Sequence, residues 1–309
     1  MLSDFKKAYF NALVQREVYV ELPKEDPDYQ QGWVGKLRLA LYGTRDAAQL
    51  WQECLAEHLH SIGFERGKSN PCVYFHRARG IRVLVHGDDY ASAGLLEDLR
   101  WMQKELENRF EMKTTIVGHA NEKDVVAEGK ILNRIIRATS FGWEYECDQR
   151  HAEVLIDELK LAGTRAVSTP GVDEPVNKKE EELTSAALNP EMASAYRALA
   201  ARCKYIAVDR ADAQYAIKEL CRDMSAPTEA SWSKLIRVGR YFLGKPRAVV
   251  MFEWQPTASV IDIFTDADWA GCKTARKSTS GGVAMVGRCC VKSWSKTQGT
   301  IAQSSAESE

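Results

Sequence analysis

The hydrophobic and polar residues of this chain follow two different periods, and each period predicts a different kind of element. Apolar residues recur at steps of three and four in residues 45–62 and 95–110, which predicts amphipathic helices. Apolar runs at residues 72–75 and 81–85, joined by a short segment that ends in glycine, predict a β-hairpin. Strands and helices are therefore expected to mix in the first third of the chain.

The remaining residues continue this mixture. A helix at residues 151–161 precedes an acidic, polar stretch at residues 172–190 that has the composition of a linker. Helical periodicity returns over residues 191–244, and from residue 248 the pattern is mainly that of strands. The sequence therefore predicts an α+β fold with a linker inside it.

The composition narrows the class of protein only modestly. Hydrophobic residues make up 45% and charged residues 28%, which is ordinary for a soluble globular protein. No apolar run approaches the ~20 residues of a membrane-spanning helix, and no membrane partner is expected. The 8 cysteines contain no Cys-x-x-Cys pair, which favours reduced thiols in an intracellular protein. With a net charge of −1, any surface that binds nucleic acid must be local.

Two acidic stretches follow apolar runs. Asp88 and Asp89 come directly after the run at residues 81–85, and Asp266 and Asp268 follow a β-rich run in the same way. Adjacent carboxylates repel each other, and a divalent metal ion is the usual reason to keep both ionised. A solvated turn is the alternative for the first pair. Two metal-dependent sites that handle phosphate oxygens are therefore predicted.

Asp4 strengthens the metal interpretation. It precedes Tyr9 by five residues, and a strand-end carboxylate of this kind together with a distant Asp-Asp turn is the layout of a nucleotide polymerase palm. In-line phosphoryl transfer uses two Mg²⁺ ions about 3.5–4 Å apart, and carboxylates are the ligands that Mg²⁺ prefers.

Further short motifs lie along almost the whole chain. They are residues 4–11, 17–21, Leu41-Tyr42-Gly43, Asp88-Asp89, Ser168-Thr169-Pro170, 196–199, 212–216, 240–244, 266–271, 276–281, 293–295 and 304–307. In this order they resemble the reverse transcriptase and ribonuclease H region of a copia-type LTR retrotransposon Pol polyprotein. Each motif alone is weak, and the resemblance depends on their number and order.

The resemblance implies roles for residues of the first acidic site. Asp4, Asp88 and Asp89 would be the catalytic metal ligands. Tyr9 would stack under the incoming sugar and exclude a 2′-hydroxyl, although a core aromatic is the alternative. Arg45 would take part in nucleotide binding.

The resemblance also implies a second catalytic site, of the ribonuclease H kind. Asp266 would be its first carboxylate, and Glu307 and Glu309 compete for the next metal position. Glu309 is favoured because Glu307 fits a capping box with Ser304. Asp268 is assigned to the loop surface rather than to the metal.

The chain departs from the family pattern at several positions. His86 stands where a tyrosine is usual, and Gly87 is expected to loosen the turn. An acidic Asp46 follows the Leu-Tyr-Gly motif and should repel a triphosphate unless Arg45 screens it. The first catalytic carboxylate lies at residue 4 and a helix begins at the last residues, so a truncated copy without fingers is expected.

Five segments follow from this interpretation. They are a polymerase palm portion at 1–112, a thumb-like segment at 113–171, a linker at 172–190, a helical connection at 191–247 and an incomplete ribonuclease H-like β-sheet at 248–309. The expected fold is therefore a palm-like remnant followed by helices and a partial second sheet.

The expected function is RNA-directed DNA polymerisation with associated ribonuclease H, by two-metal phosphoryl transfer with Mg²⁺ or Mn²⁺, impaired in a truncated copy. The implied partners are an RNA template, a DNA primer or RNA–DNA hybrid, dNTP and the remainder of the Pol polyprotein. The expected location is cytoplasmic or nuclear, or within virus-like particles. A non-catalytic remnant that at most binds nucleic acid, and an unrelated metal-dependent phosphohydrolase, are the alternatives.

Overall fold

The computed structural model describes residues 1–119, 122–172, 185–272 and 275–309, and it divides into two compact units, Met1–Leu132 and Asn133–Glu309. Most of the linker predicted at residues 172–190 lies outside the described residues. Both units mix helices and strands. Within the described ranges, every helix is too short or too polar to cross a bilayer.

The first unit contains both helices and the hairpin that were predicted for it. Its elements are β1 (Leu2–Phe5), β2 (Tyr19–Glu21), β3 (Val34–Lys36), α1 (Ala47–Ser61), β4 (Glu65–Arg66), β5 (Val73–His76), β6 (Ile81–His86), β7 (Asp89–Ala93), α2 (Leu96–Glu107), β8 (Met112–Val117), β9 (Val125–Val126) and β10 (Glu128–Ile131). The main sheet has the strand order β4-β5-β6-β7-β1-β8-β9. Neighbours pair antiparallel except β8 and β9, which are parallel.

The core of this unit lies on one face of the main sheet. Along β6, Val83 and Val85 are buried while the residues between them are exposed, because successive side chains of a strand point to opposite faces. Trp51 and Leu55 of α1 and Leu106 of α2 belong to the same buried cluster. The helices therefore cover one face, and exposed positions of the strands, such as Leu84 and His86 of β6, lie on the other.

Two features of the sheet differ from the predictions. The strand β7 was not predicted, because its Asp-Tyr-Ala-Ser-Ala sequence is short and largely polar. It is a strand because it pairs with β6 on one side and β1 on the other. The sheet also continues beyond residue 112, where the palm portion was expected to end, because β8 pairs with β1 and β9 pairs with β8.

The second unit has helices and strands in the regions predicted for them. Its elements are β11 (Arg134–Thr139), β12 (Gly142–Glu146), α3 (Arg150–Glu158), α4 (Pro190–Ile206), α5 (Gln214–Arg222), α6 (Glu229–Gly244), β13 (Val249–Glu253), β14 (Ile261–Ala267), β15 (Thr279–Val286), β16 (Cys289–Thr297) and α7 (Ser305–Ser308). The strands β11, β12 and β13 pair antiparallel, and β14, β15 and β16 form a separate antiparallel sheet.

The helices α3 to α6 share one hydrophobic core. Leu155 of α3 lies in the same buried cluster as Tyr196 and Leu199 of α4, Ile217 of α5 and Phe242 of α6. The helix expected in a thumb-like segment that ends at residue 171 therefore packs with the helices of the predicted connection.

Candidate active site

The pairing of β1 with β7 brings the predicted carboxylates of the first unit together. Asp4 lies directly opposite Asp89, and Asp88 lies in the turn that precedes β7. The amide of Phe5 donates to the carbonyl of Asp88 over 3.2 Å, which holds this turn against β1. Directly opposed residues of an antiparallel pair have Cβ atoms about 4.5–5.5 Å apart and point to the same face. The two strands therefore gather the three residues at one end of the sheet.

The residues next to these carboxylates are anchored in the core. Phe5 follows Asp4 and Tyr90 follows Asp89, so both rings point to the opposite face of the sheet. Both rings are buried, and their centroids lie 4.4 Å apart. The backbone that carries Asp4 and Asp89 is therefore held in place by aromatic packing beneath it.

The turn between β6 and β7 is also held by a hydrogen bond from a core residue. Gly87 has a φ of +66°, and Asp88 is not among the residues with positive φ, which is the pattern of a type II′ hairpin turn. The buried Trp51 donates its indole N–H to the carbonyl of Gly87 over 3.1 Å. The prediction that Gly87 loosens this turn is therefore wrong, since glycine is the residue that this backbone conformation favours.

The open face of the sheet carries a row of ionisable side chains at directly opposed positions. In the order β6, β7, β1 and β8, the row is His86, Asp89, Asp4 and Lys113. Lys113 is exposed and was not selected from the sequence. The row places the two carboxylates between two side chains that can carry positive charge.

The neighbouring carboxylates affect the ionisation of Asp89. Partial burial, followed by the charges of Asp88 and Asp4, raises the pKa of Asp89, while His86 acts in the opposite direction. Like charges close together disfavour the ionised form of each. A cation bound among them would remove this penalty.

The donor set fits a hard divalent cation. Carboxylate oxygens are the ligands that Mg²⁺ and Mn²⁺ favour, and Asp4 and Asp89 share one face with a mutual repulsion that a cation would relieve. The side chains are not arranged as a closed cage: among the described residues, no group of three or more His, Cys, Asp or Glu is already placed to hold a metal ion.

Tyr9 lies in a short 3-10 helix, Ala8–Asn11, that follows β1. It is half-buried and packs against the core, as the core-aromatic interpretation predicted. Its ring also stacks on that of Tyr42, with centroids 4.3 Å apart and planes 24° apart. Tyr9 therefore contacts both the core and a second ring.

Asp46 has a cationic partner, but it is not the one expected from the sequence. Arg16 donates two hydrogen bonds to its carboxylate, at 2.8 and 3.2 Å. This bidentate contact with Arg16 lowers the pKa of Asp46 and keeps it ionised, and Arg45 contributes only a minor effect. Arg45 is exposed beside the pair. The main cationic partner of Asp46 is thus Arg16 rather than Arg45.

The second predicted carboxylate site lies in the second unit. Asp266, near the end of β14, is exposed and pairs with Gly281 of β15. It lines an open cavity of about 550 Å³ together with Tyr215 of α5 and with Phe264 and Trp294 of the sheet. Asp268 also lines the cavity, which therefore combines two carboxylate residues with three aromatic side chains.

Two other acidic residues near the end of the chain accept hydrogen bonds from backbone amides. Asp268 accepts hydrogen bonds from the amides of Gly271 and Thr279, at 3.1 and 2.8 Å, as a loop residue would. The Glu307 carboxylate accepts from the amide of Gln303 at 2.6 Å, and the Glu307 amide donates to the Ser304 hydroxyl. Glu309 is exposed at the end of α7. Among the described hydrogen bonds, the carboxylates of Asp268 and Glu307 accept from backbone amides, whereas those of Asp266 and Glu309 do not.

Comparisons with known proteins cover the whole chain. Residues 2–122 match the family model described as "Reverse transcriptase (RNA-dependent DNA polymerase)". Over 99% of its length, the chain is 28% identical to the retrovirus-related Pol polyproteins from transposons RE2 and RE1 of Arabidopsis thaliana. The chain is thus similar to Pol polyproteins of copia-type transposons, and its first part is similar to reverse transcriptases. The chain spans 20% of the length of those two relatives.

The similarity extends to another plant element and to a solved structure. The Pol polyprotein from transposon TNT 1-94 of Nicotiana tabacum is 24% identical over 99% of this chain, which covers 23% of that protein. A foamy viral protease-reverse transcriptase in complex with an RNA/DNA hybrid aligns with 96% of this chain. The alignment covers 33% of the foamy viral chain, at 9% identity and a TM-score of 0.45.

Several residues of the candidate site could not be selected from the sequence. The hydrogen bond of Trp51 to the turn between β6 and β7 depends on a contact between α1 and the hairpin. Arg16 and Lys113 carried no local signal, since each is a single basic residue in a mixed stretch. Only the pairing of distant segments reveals their positions.

Proposed function

We propose that the first unit is the polymerase part of a reverse transcriptase, which extends a DNA primer on an RNA template. The observation that carries the proposal is the register of β1 and β7, which sets Asp4 opposite Asp89 and beside Asp88. The match of residues 2–122 to the reverse transcriptase family supports it.

In this proposal, Asp4, Asp88 and Asp89 hold two Mg²⁺ ions, or Mn²⁺ in their place. When bound, these ions would supply activation of the primer 3′-oxygen and neutralisation of charge on the phosphate oxygens. The protein's own contribution is positioning: Phe5 and Tyr90 fix the strands, and Trp51 fixes the turn.

The side chains around the carboxylates bind and select the nucleotide in this proposal. Because Arg16 pairs with Asp46, Arg45 is left to contact the triphosphate of the dNTP. Tyr9 lies under the sugar and excludes a 2′-hydroxyl. Lys113, next to Asp4, adds positive charge where pyrophosphate would leave. The partners are an RNA template, a DNA primer and the remainder of the Pol polyprotein, in the cytoplasm, the nucleus or virus-like particles.

A primer-extension assay tests the polymerase proposal. The purified chain is given an RNA template with an annealed DNA primer, dNTP and Mg²⁺, and then Mn²⁺ in place of Mg²⁺. Extension by the wild type that falls at least a hundredfold in Asp88→Asn and Asp4→Asn, but not in Asp28→Asn, is the expected result (a loss of about 3 kcal/mol of transition-state stabilisation). Asp28 is an exposed aspartate of the same unit.

The same assay separates the proposal from its alternative. If the wild type extends no primer with either metal ion, the chain is a non-catalytic remnant under these conditions. A filter-binding titration against salt would then show whether it still binds an RNA–DNA hybrid.

We further propose that the second unit carries part of a ribonuclease H site, with Asp266 and Glu309 as metal ligands and Glu307 as the competing candidate. The exposed Asp266 in its open cavity supports this assignment. Cleavage of RNA in a hybrid should be lost in Asp266→Asn and kept in Asp262→Asn, an exposed aspartate on the same strand. Equal cleavage by both variants would contradict the assignment.

A further inference from the structure

Tyr42 covers the ring that the proposed function uses to select the sugar. The Tyr9 and Tyr42 rings are stacked, with centroids 4.3 Å apart and planes 24° apart. Phe10 meets the Tyr42 ring edge-on, with centroids 5.7 Å apart. Tyr42 therefore contacts two successive aromatic residues of the segment that follows β1.

Backbone pairing between two loop segments brings these rings together. The amide of Ala40 donates to the carbonyl of Ala12 over 2.9 Å, and Leu13 pairs with Leu39 in an antiparallel bridge. The loop segment that ends at Tyr42 is thus held alongside the residues that follow Tyr9. Its position is set by hydrogen bonds of the backbone and not by the tyrosine rings alone.

The turn after Tyr42 is closed as well. The Thr44 hydroxyl donates to the carbonyl of Leu41 over 2.8 Å, and Gly43 adopts a φ of +92° that favours glycine. Tyr42 is 48% exposed, so its ring is not needed to fill the core. The half-exposed ring of Tyr42 stands on a backbone segment that hydrogen bonds hold in place, so it is suited to restrain the neighbouring ring of Tyr9.

The stack restricts the orientation of the Tyr9 ring. Tyr9 packs against the core and its ring also stacks on Tyr42, and stacked aromatic pairs prefer a narrow set of mutual orientations. Without Tyr42, the half-buried ring would gain rotational freedom. A loosely held ring is a poor steric barrier, because it can turn away from an additional hydroxyl group.

We propose that Tyr42 is a positioning residue for sugar selection: its ring holds Tyr9 in the orientation that rejects a ribonucleotide. The proposal deepens the polymerase function proposed above and depends on it. It predicts that the ring of residue 42 matters and that its hydroxyl does not.

The test compares Tyr42→Ala, Tyr42→Phe and a control, Tyr19→Ala, which removes another exposed tyrosine of the same unit. The first readout is the ratio of dNTP to ribonucleotide incorporation on one primer–template. We expect this ratio to fall roughly three- to tenfold in Tyr42→Ala, the range that corresponds to one aromatic pair, and to stay at the wild-type value in the other two. An unchanged ratio in Tyr42→Ala overturns the proposal.

A second readout does not depend on catalysis. 3-Fluorotyrosine is placed at position 9, and its ¹⁹F signal is recorded in the wild type and in the three variants. We expect the signal to move and broaden in Tyr42→Ala only, because Tyr42→Phe keeps the stacked ring. An unmoved signal in Tyr42→Ala shows that Tyr42 does not restrain Tyr9 and overturns the proposal whether or not the chain is active.

The two readouts distinguish failure of this proposal from failure of the polymerase function. A wild type that incorporates no nucleotide contradicts the proposed function, and the claim of sugar selection falls with it. In another outcome the wild type incorporates dNTP, and Tyr42→Ala shows a moved ¹⁹F signal but an unchanged ratio of dNTP to ribonucleotide incorporation. This outcome supports the polymerase function and overturns only the role of Tyr42 in sugar selection.

Discussion

Trp51 donates its indole N–H to the carbonyl of Gly87, so a buried residue of α1 holds the turn that carries Asp88. The two residues belong to a helix and a hairpin that are distant in the chain. The hydrogen bond links the hydrophobic core directly to the predicted metal site. Stability of the core and geometry of the site are therefore coupled at Trp51.

Replacing Trp51 by Phe should reveal this coupling. The substitution keeps a ring in the core but removes the donor to Gly87, and the free energy of unfolding should fall by about 1–2 kcal/mol. Mn²⁺ affinity should fall too, because the turn that carries Asp88 and Asp89 gains freedom. Urea unfolding and a Mn²⁺ titration measure the two effects. Trp33→Phe, at an exposed tryptophan, should change neither, and unchanged Mn²⁺ affinity in Trp51→Phe would contradict the coupling.

Removing Arg16 should weaken nucleotide binding through Asp46. Arg16→Ala leaves the Asp46 carboxylate without its bidentate partner, so we expect the KM for dNTP to rise several-fold with a smaller change in kcat. Arg16→Ala combined with Asp46→Asn should restore the KM, since the uncompensated negative charge is gone. Steady-state kinetics on the three variants measure this.

The double variant decides how that result is interpreted. If it binds dNTP as poorly as Arg16→Ala, Arg16 acts by itself and not by neutralising Asp46. Arg77→Ala is the matched control, because Arg77 forms an exposed ion pair with Glu65 in the same unit.

Neutralising Asp89 should stabilise the protein in the absence of metal. Burial, followed by repulsion from Asp88 and Asp4, raises the pKa of Asp89, and both penalties on its charge disappear in Asp89→Asn. This variant should therefore have a higher Tm than the wild type in EDTA at pH 7. Addition of Mg²⁺ should raise the Tm of the wild type more than that of the variant. Thermal unfolding measures both, and an equal response to Mg²⁺ would argue against Asp89 as a ligand.

Glu146 should give the second unit a pH-dependent part of its stability. It is 1% exposed and accepts hydrogen bonds from Arg247, Arg137 and Gln149, and the hydrogen bonds from Arg247 are the largest effect that lowers its pKa to about 2. Because the folded-state pKa is depressed, this contribution is complete above the ordinary value of 4.5 and is lost as the pH falls towards 2.

Glu146→Gln should therefore lower the free energy of unfolding by about 2 kcal/mol at pH 7, and the difference from the wild type should shrink below pH 4.5. Glu144→Gln is the matched control on the same strand, because Glu144 lies 3.7 Å from Arg137 and is more exposed. Chemical unfolding at pH 7 and pH 3 measures both variants. A difference that stays constant with pH would exclude ionisation of Glu146 as the cause.

The sequence predicted the elements whose signal is local. The helices α1 and α2 follow from apolar residues at helical spacing, and β6 follows from the apolar run at residues 81–85, of which Val83 and Val85 are buried. These patterns report which face of an element meets apolar surroundings, and that preference is present in a short stretch of chain. The strand β7 escaped prediction because its partners, and not its own polar sequence, make it a strand.

The chain by itself thus determined the elements that have a local periodic signal, the buried face of each, and the carboxylates that are candidates for a metal site. Only the tertiary structure decided that Asp4 faces Asp89, that Arg16 binds Asp46, and that Tyr42 stacks on Tyr9. The physical reason is that burial periodicity is a property of neighbouring residues, whereas strand register and ring stacking depend on how distant segments pack around a common core. The chemistry of the site depends on the second kind of information.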